Sequence, residues 1–370
     1  MRDAPKPRGS STWLARVGRA SLTKTTADPR TPGVAPPVKP LADRLDRPLR
    51  DLRVSVTDRC NFRCGYCVPL ASPVRFRPQD EILSFEETER VARLFVRLGV
   101  RKIRLTGGEP LLRRHLADLV GRLASLPGLE DLGLTTNGFL LAAQAARLRQ
   151  AGLRRVTVSL DALDEETFRR LAGVDYPVSV VLAGIDAAIA AGFAPIKLNM
   201  VVLRGVNEGQ ILPMARFARE HGLHLRFIEY MDVGPANGWH REDVVGAAEI
   251  LARVDAELPI RPVLPRAAGE VAERFRYVDG AGELGVVASV TRPFCADCSR
   301  ARLTADGRLF TCLFGASGTD LRGLLRAGAT DDELVSVIVS MWRDRDDQYS
   351  QLRSEASSDA IREAMTVIGG

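Results

Sequence analysis

The stretch LRVSVTDRCNFRCGYC, residues 52–67, decides how the rest of the chain is read. Its first part, Leu52 to Thr57, alternates side-chain character and is rich in β-branched residues, which predicts a strand. Cys60, Cys64 and Cys67 then fall in a loop at the carboxyl end of that strand. Similar strand-like runs follow at Lys102 to Thr106, Asp131 to Thr136, Arg155 to Leu160, Ile196 to Val202 and Leu225 to Glu229. Helical patterns separate them. In the first, Ser84 can cap a helix with Glu87 three residues on, ahead of Val91, Leu94, Phe95 and Leu98 on one face. Crossover helices force neighbouring strands to run parallel. Six βα units are too few for a closed eight-stranded barrel, so the expectation is an α/β fold built on an open, partial (β/α)6 barrel. A doubly wound open sheet is the alternative, and in both the functional rim lies at the carboxyl ends of the strands.

The chemistry-bearing residues cluster on that rim. Thr57 leads into the cysteines, Thr106 into Gly107-Gly108-Glu109-Pro110, Thr135 and Thr136 into Asn137-Gly138, Ser159 into Asp161, and Glu229 into Tyr230-Met231. After Met231 the alternation stops at Gly234, Pro235 and Gly238. A helix over Glu242 to Val254 and strands at Glu273 to Val278 and Gly285 to Val290 predict a smaller carboxy-terminal domain. Asp306-Gly307, between Ala301 to Thr304 and Arg308 to Cys312, signals a tight hairpin that returns Cys312 toward Cys295 and Cys298. Helices are expected again at Asp320 to Arg326 and Asp331 to Trp342, the latter behind a Thr330–Glu333 capping box. The chain thus divides into a basic leader at 1–42, a barrel at 43–232 and a carboxy-terminal domain at 233–370.

Charge narrows the function classes. The formal net charge is +6, but residues 1–40 hold eight Lys or Arg against two Asp or Glu, and the remaining 44 basic and 44 acidic residues cancel. A balanced body argues against a nucleic-acid partner, and any anion site must come from local arginines. The most apolar stretch, around 178–203, carries Asp186 and Lys197, so no membrane span is expected. The leader, rich in Pro, Ser, Thr and Arg, reads as disordered. A cytoplasmic setting is expected, with a mitochondrial presequence as the alternative for the leader. The six cysteines form two trios and no scattered pairs, which suits two three-thiolate metal sites better than a disulfide framework.

Three thiolates spaced C-x3-C-x2-C fall one short of the four that usually hold a four-iron cluster, leaving one iron open to another ligand. A zinc knot or a group of buried thiols is the bland alternative. With Tyr66 before the last cysteine and GGEP after the second strand, the motif resembles the radical S-adenosylmethionine superfamily. The resemblance implies a 4Fe–4S cluster on Cys60, Cys64 and Cys67, and S-adenosylmethionine contacts at Tyr66, Gly108, Ser159 and Met231. C-x2-C-x13-C at Cys295, Cys298 and Cys312 resembles the auxiliary-cluster motif of the GTP 3′,8-cyclase family of molybdenum cofactor biosynthesis, over residues 45–370. That resemblance implies a second 4Fe–4S cluster facing GTP, with Arg53, Arg104, Thr135, Lys197, Arg300, Ala301 and Arg302 as GTP-binding positions. It also implies catalytic parts for Arg226 and the Gly369-Gly370 tail, and an external electron donor as partner. Arg300 and Arg302 share one strand face, and charges on strands buried on both sides need a partner such as a triphosphate. A radical enzyme acting on peptides and a zinc- or RNA-binding protein remain the rivals, and a homodimer is left open.

Overall fold

The computed structural model describes residues 41–67, 76–233, 238–266, 269–353 and 364–369. The expected leader and Gly370 lie outside the described residues. The described residues form one compact unit.

Twelve strands make one mixed sheet. In chain order they are β1 (Asp51–Ser55), β2 (Lys102–Thr106), β3 (Asp131–Thr136), β4 (Arg155–Ser159), β5 (Lys197–Val202), β6 (His224–Glu229), β7 (Ile260–Val263), β8 (Glu273–Tyr277), β9 (Glu283–Val287), β10 (Arg300–Leu303), β11 (Arg308–Phe310) and β12 (Thr319–Asp320). Their spatial order is β12-β11-β10-β1-β2-β3-β4-β5-β6-β9-β8-β7. The central six strands are all parallel and follow sequence order, as the βα reading requires. Helices α1 (Phe85–Arg97), α2 (Leu116–Ala124), α3 (Leu141–Gln150), α4 (Glu165–Ala172), α5 (Val178–Ala190) and α6 (Ile211–Glu220) supply the crossovers. The capping box at Ser84 forms: its hydroxyl accepts from Glu87 N at 3.1 Å while the Glu87 carboxylate accepts from Ser84 N at 2.8 Å.

The carboxy-terminal strands join this same sheet at both ends. β10 lies parallel to β1, with Arg302 beside Arg53, and β9 lies parallel to β6, with Gly285 beside Arg226. The Asp306-Gly307 turn joins β10 to antiparallel β11 as the sequence suggests. The helix expected from Glu242 begins later, at Ala247. Glu229 explains part of this. Its buried carboxylate accepts from Ala247 N at 2.8 Å, Val290 N at 2.7 Å and Thr291 N at 2.8 Å, fixing the helix start and the chain after β9 to the end of β6.

The two faces of the sheet differ sharply. Leu52, Val54, Ile103, Leu105, Leu132, Leu134, Val156, Val158, Leu198, Met200, Leu225 and Phe227 are buried in one core beneath the helices. Their sequence neighbours at period two, on the other face, include Arg53, Arg104, Arg155, Lys197 and Arg226. A closed barrel fills this inner face with branched apolar side chains. Here it is cationic.

Candidate active site

The first cysteine loop is braced from two sides. Gly108 N donates to Thr57 O at 2.9 Å and Glu109 N to Arg59 O at 2.7 Å, so the GGEP turn lies flat on the backbone that leads to Cys60. Only glycine allows this approach: a Cβ on Gly107 would meet Thr57 O at 2.3 Å, and one on Gly108 would meet Arg59 O at 2.2 Å. On the other side Arg63 N donates to Ala172 O at 2.8 Å, at the end of α4.

Within the loop, burial pushes the Cys60 thiol up to about 11 and the Cys67 thiol up to about 12, and raises Cys64 as well, with Cys60 opposing ionisation of the other two and Cys67 that of Cys64. Such thiols ionise when cations arrive, as metal ligands do. All six cysteines are free. Among the described residues, no three His, Cys, Asp or Glu side chains converge tightly enough to hold a single metal ion.

Two buried carboxylates organise the rim. Glu109 is held by Thr136 Oγ1 at 2.7 Å, Asn137 N at 2.7 Å and Leu111 N at 3.0 Å, and burial lifts its carboxyl to about 7. Asp161 accepts from the Tyr66 hydroxyl at 2.6 Å and from Val201 N at 2.8 Å, with burial lifting it to about 6. Tyr66 is therefore fixed to the end of β4, two residues beyond Ser159. It packs with Met231 against the small cluster of Tyr230, Trp239, Val244 and Val290, so two residues expected to contact S-adenosylmethionine share one neighbourhood.

Strand register assembles the cations. Arg302, Arg53 and Arg104 stand side by side across β10, β1 and β2. Thr135 neighbours Thr157, Thr157 neighbours Lys197, and Asn199 neighbours both Ser159 and Arg226. Arg104 is steadied by Thr157 Oγ1 at 3.0 Å and Thr135 Oγ1 at 3.4 Å. Burial and neighbouring cations act against the charge on Arg53, Lys197 and Arg226, with only Asp51 opposing them at Arg53 and Glu270 at Arg226, and the Asn199 Oδ1 acceptor is buried without a donor among the described residues. Burial, with Arg226 and the other cations adding to it, drives the Lys197 ammonium down to about 6. Burial likewise lowers Arg226 and Arg302, each to about 10. Crowded cations held apart from water favour an anionic occupant.

The second trio sits beside this wall. Burial raises the Cys298 thiol, but the Arg300 and Arg345 guanidiniums outweigh it and bring the group down to about 6. Arg300 donates to Cys298 Sγ at 3.2 Å. Ala301 differs from its neighbours: its methyl turns into the apolar core on the opposite face. Arg302 Nη1 donates to the Gly369 carbonyl, and a Cβ on Gly369 would lie 2.5 Å from Thr106 Cγ2 and 2.8 Å from Ser55 Oγ. Gly369 therefore reaches the inner ends of β1 and β2. Sequence reasoning took Glu109 only as part of the GGEP motif, quoted Asp161 without assigning it a part, and passed over Thr157 and Asn199. The signal for Asn199 was a carboxamide two residues from Lys197 in an otherwise apolar strand.

Comparison with known proteins agrees with this geometry. Residues 54–218 match the Radical SAM superfamily and residues 223–351 match Molybdenum Cofactor Synthesis C. GTP 3′,8-cyclase of Acidothermus cellulolyticus is 58% identical over 332 residues, 88% of this chain and 91% of its own length. The enzyme of the same name from Xanthomonas campestris pv. campestris is 50% identical, covering 90% of this chain and 98% of its own. That from Staphylococcus carnosus is 46% identical, covering 90% and 100%. Among solved structures, Streptococcus suis SuiB bound to S-adenosylmethionine superposes with a TM-score of 0.55 at 16% identity, over 84% of this chain and 67% of that one, a likeness of fold. With that identity sustained across nearly the whole described body, the chain belongs to the GTP 3′,8-cyclase family, within the radical S-adenosylmethionine superfamily.

Proposed function

We propose that this protein converts GTP to (8S)-3′,8-cyclo-7,8-dihydroguanosine 5′-triphosphate, the first step of molybdopterin biosynthesis. The observation that carries the proposal is the buried inner wall of Arg302, Arg53 and Arg104 across β10, β1 and β2, with Lys197 and Arg226 on β5 and β6, basic groups that burial and mutual repulsion press toward an anionic partner. A triphosphate supplies the missing negative charge, and guanidinium groups can fork its oxygens.

The residues fit the cofactors. The braced loop of Cys60, Cys64 and Cys67 offers three thiols with no fourth cysteine near in sequence, as an open-iron cluster requires. Gly108, Ser159, Tyr66 and Met231 frame a place for S-adenosylmethionine. Cys295, Cys298 and Cys312 would hold the second 4Fe–4S cluster. When bound, the first cluster and S-adenosylmethionine supply 5′-deoxyadenosyl radical chemistry.

The chain's own residues do the rest. Arg53, Arg104, Lys197, Arg300 and Arg302 grip the triphosphate, and Thr135 and Thr157 keep Arg104 aimed inward. Arg226 and Asn199 face the same space from β6 and β5, and Gly369 narrows it against Thr106. Narrowing excludes water from a reactive intermediate. An external electron donor completes the requirement, and a cytoplasmic setting suits six reduced cysteines. The division near residue 232, between a part for the radical source and a part for the second cluster, belongs to the same proposal.

The test is anaerobic incubation of the reconstituted protein with dithionite, S-adenosylmethionine and GTP. Formation of 5′-deoxyadenosine together with the cyclised nucleotide is expected. 5′-Deoxyadenosine without any modified GTP would refute the substrate.

A further inference from the structure

Behind the second cysteine trio lies a set of buried charges that GTP binding does not use. The side chains of Asp43, Arg47 and Arg345 are each no more than 1% exposed. Asp43 accepts from Arg47 Nε at 2.6 Å and from Arg345 Nη1 at 2.9 Å. Neither guanidinium stops there. Arg47 Nη1 also donates to the Cys295 carbonyl at 2.9 Å and to the Asp347 carbonyl at 2.7 Å. Arg345 Nη1 donates to the Cys298 carbonyl at 2.7 Å. The third cysteine is reached one residue away, where Thr311 Oγ1 donates to the Asp347 carboxylate at 2.6 Å. Trp342 closes the group from the protein side, with Nε1 on the Arg47 carbonyl at 3.2 Å and the Arg345 guanidinium 4.6 Å over its ring.

Burying ions costs several kcal/mol each, and apolar residues of the same volume often stabilise a fold as well or better. The placement of this network is more informative than its existence. Its donors end on the main chain of two cysteines, and the Asp347 carboxylate, 3.4 Å from Arg345 Nε, ends beside the third, although the three segments are brought together from residues 43–47, 295–312 and 345–347. Partners that orient ligand-bearing segments commonly decide whether a metal site assembles.

We propose that Asp43, Arg47, Arg345 and Asp347 are a positioning clamp that holds Cys295, Cys298 and Cys312 in the arrangement a second iron–sulfur cluster needs. The proposal rests on the reading that this trio carries a cluster. Their hydrogen bonds act on the cysteine backbone, and Arg345 adds its charge beside Cys298.

The test uses full-length protein, reconstituted anaerobically with iron and sulfide, and reads metal content and the electron paramagnetic resonance of the reduced protein. Two four-iron clusters amount to about eight irons per chain. Arg345→Gln is expected to hold about four, retaining the signal that shifts when S-adenosylmethionine is added, like a Cys298→Ser control. Arg345→Lys, which keeps the charge, should recover part of the second cluster. Arg345→Gln with full iron and an unchanged spectrum overturns the clamp. If that variant does not fold, Thr311→Val decides: it removes only the bond to Asp347, and a chelator should then strip the second cluster's iron several-fold faster. An unchanged stripping rate overturns the proposal. Wild-type protein holding only about four irons would refute the second cluster itself, an outcome distinct from failure of the clamp.

Discussion

Binding of GTP should draw about one proton from solution at pH 8, and Lys197→Met should abolish that uptake. In the free protein, burial and the nearby Arg226, Arg155 and Arg104 hold the Lys197 ammonium at about 6. Two pH units above that value, only about 1% of the molecules carry the proton. A triphosphate against the amine reverses the balance, because an opposite charge restores the ordinary lysine range near 10 and the group then stays almost fully protonated. The arginines contribute nothing to the count, since they remain protonated on both sides of the equilibrium. The sign follows from linkage: the complex binds one more proton than the free protein, so apparent affinity rises as pH falls from about 9 to 7, by up to about tenfold per unit. Isothermal titration calorimetry in buffers of different ionisation enthalpy gives the proton number as a slope. A wild-type slope below about 0.2, or a full slope persisting in Lys197→Met, would refute the reasoning.

Other consequences are as direct. Gly108→Ala places a methyl 2.2 Å from the Arg59 carbonyl oxygen, where the only neighbour is backbone. It should cost about 1–3 kcal/mol and lower the iron bound by the first trio; full iron loading and an unchanged melting temperature would contradict it. Glu229→Ala strands the buried N–H groups of Ala247, Val290 and Thr291 and should cost roughly 3 kcal/mol or more by urea denaturation, with a loss under about 1 kcal/mol counting against the latch. In metal-free protein near neutral pH, iodoacetamide should modify Cys298 first, with a rate midpoint near its value of about 6, while Cys60 and Cys67, at about 11 and 12, lag. Peptide mapping that finds Cys60 labelled ahead of Cys298 would sink this.

Much of the barrel was legible because its signals are local. β2 and β3 begin and end where alternation and flanking turns place them, and the other four central strands differ by a residue or two. The Ser84 and Thr330 capping boxes are contained in four residues each and both form. What escaped depends on distant partners. Nothing near Arg300 announces that β10 will lie parallel to β1, about 250 residues earlier, yet that pairing puts Arg302 beside Arg53. The short strands β7 and β12 lack any periodic run long enough to register. Glu109 and Asp161 stand in motifs visible from the sequence, but their raised acidity comes from burial that only the folded chain creates. No motif near Arg47 or Arg345 signals the packing that brings Asp43 and the cysteine carbonyls to them.

The parallel pairing of β10 with β1 and of β9 with β6 also sets the timing of folding during synthesis. The six central strands are complete once residue 229 has emerged, yet the strands that flank them span residues 283–287 and 300–303. A ribosome adding about 5–20 residues per second then leaves the β1 edge uncovered for roughly 4–15 seconds more. Throughout that interval a nascent sheet shows two unpaired edges, each a template for pairing with another chain. Fragments that stop between Glu229 and Glu283 should aggregate, and the yield of intact protein should respond more to chaperone supply and translation rate than to the stability of the finished fold.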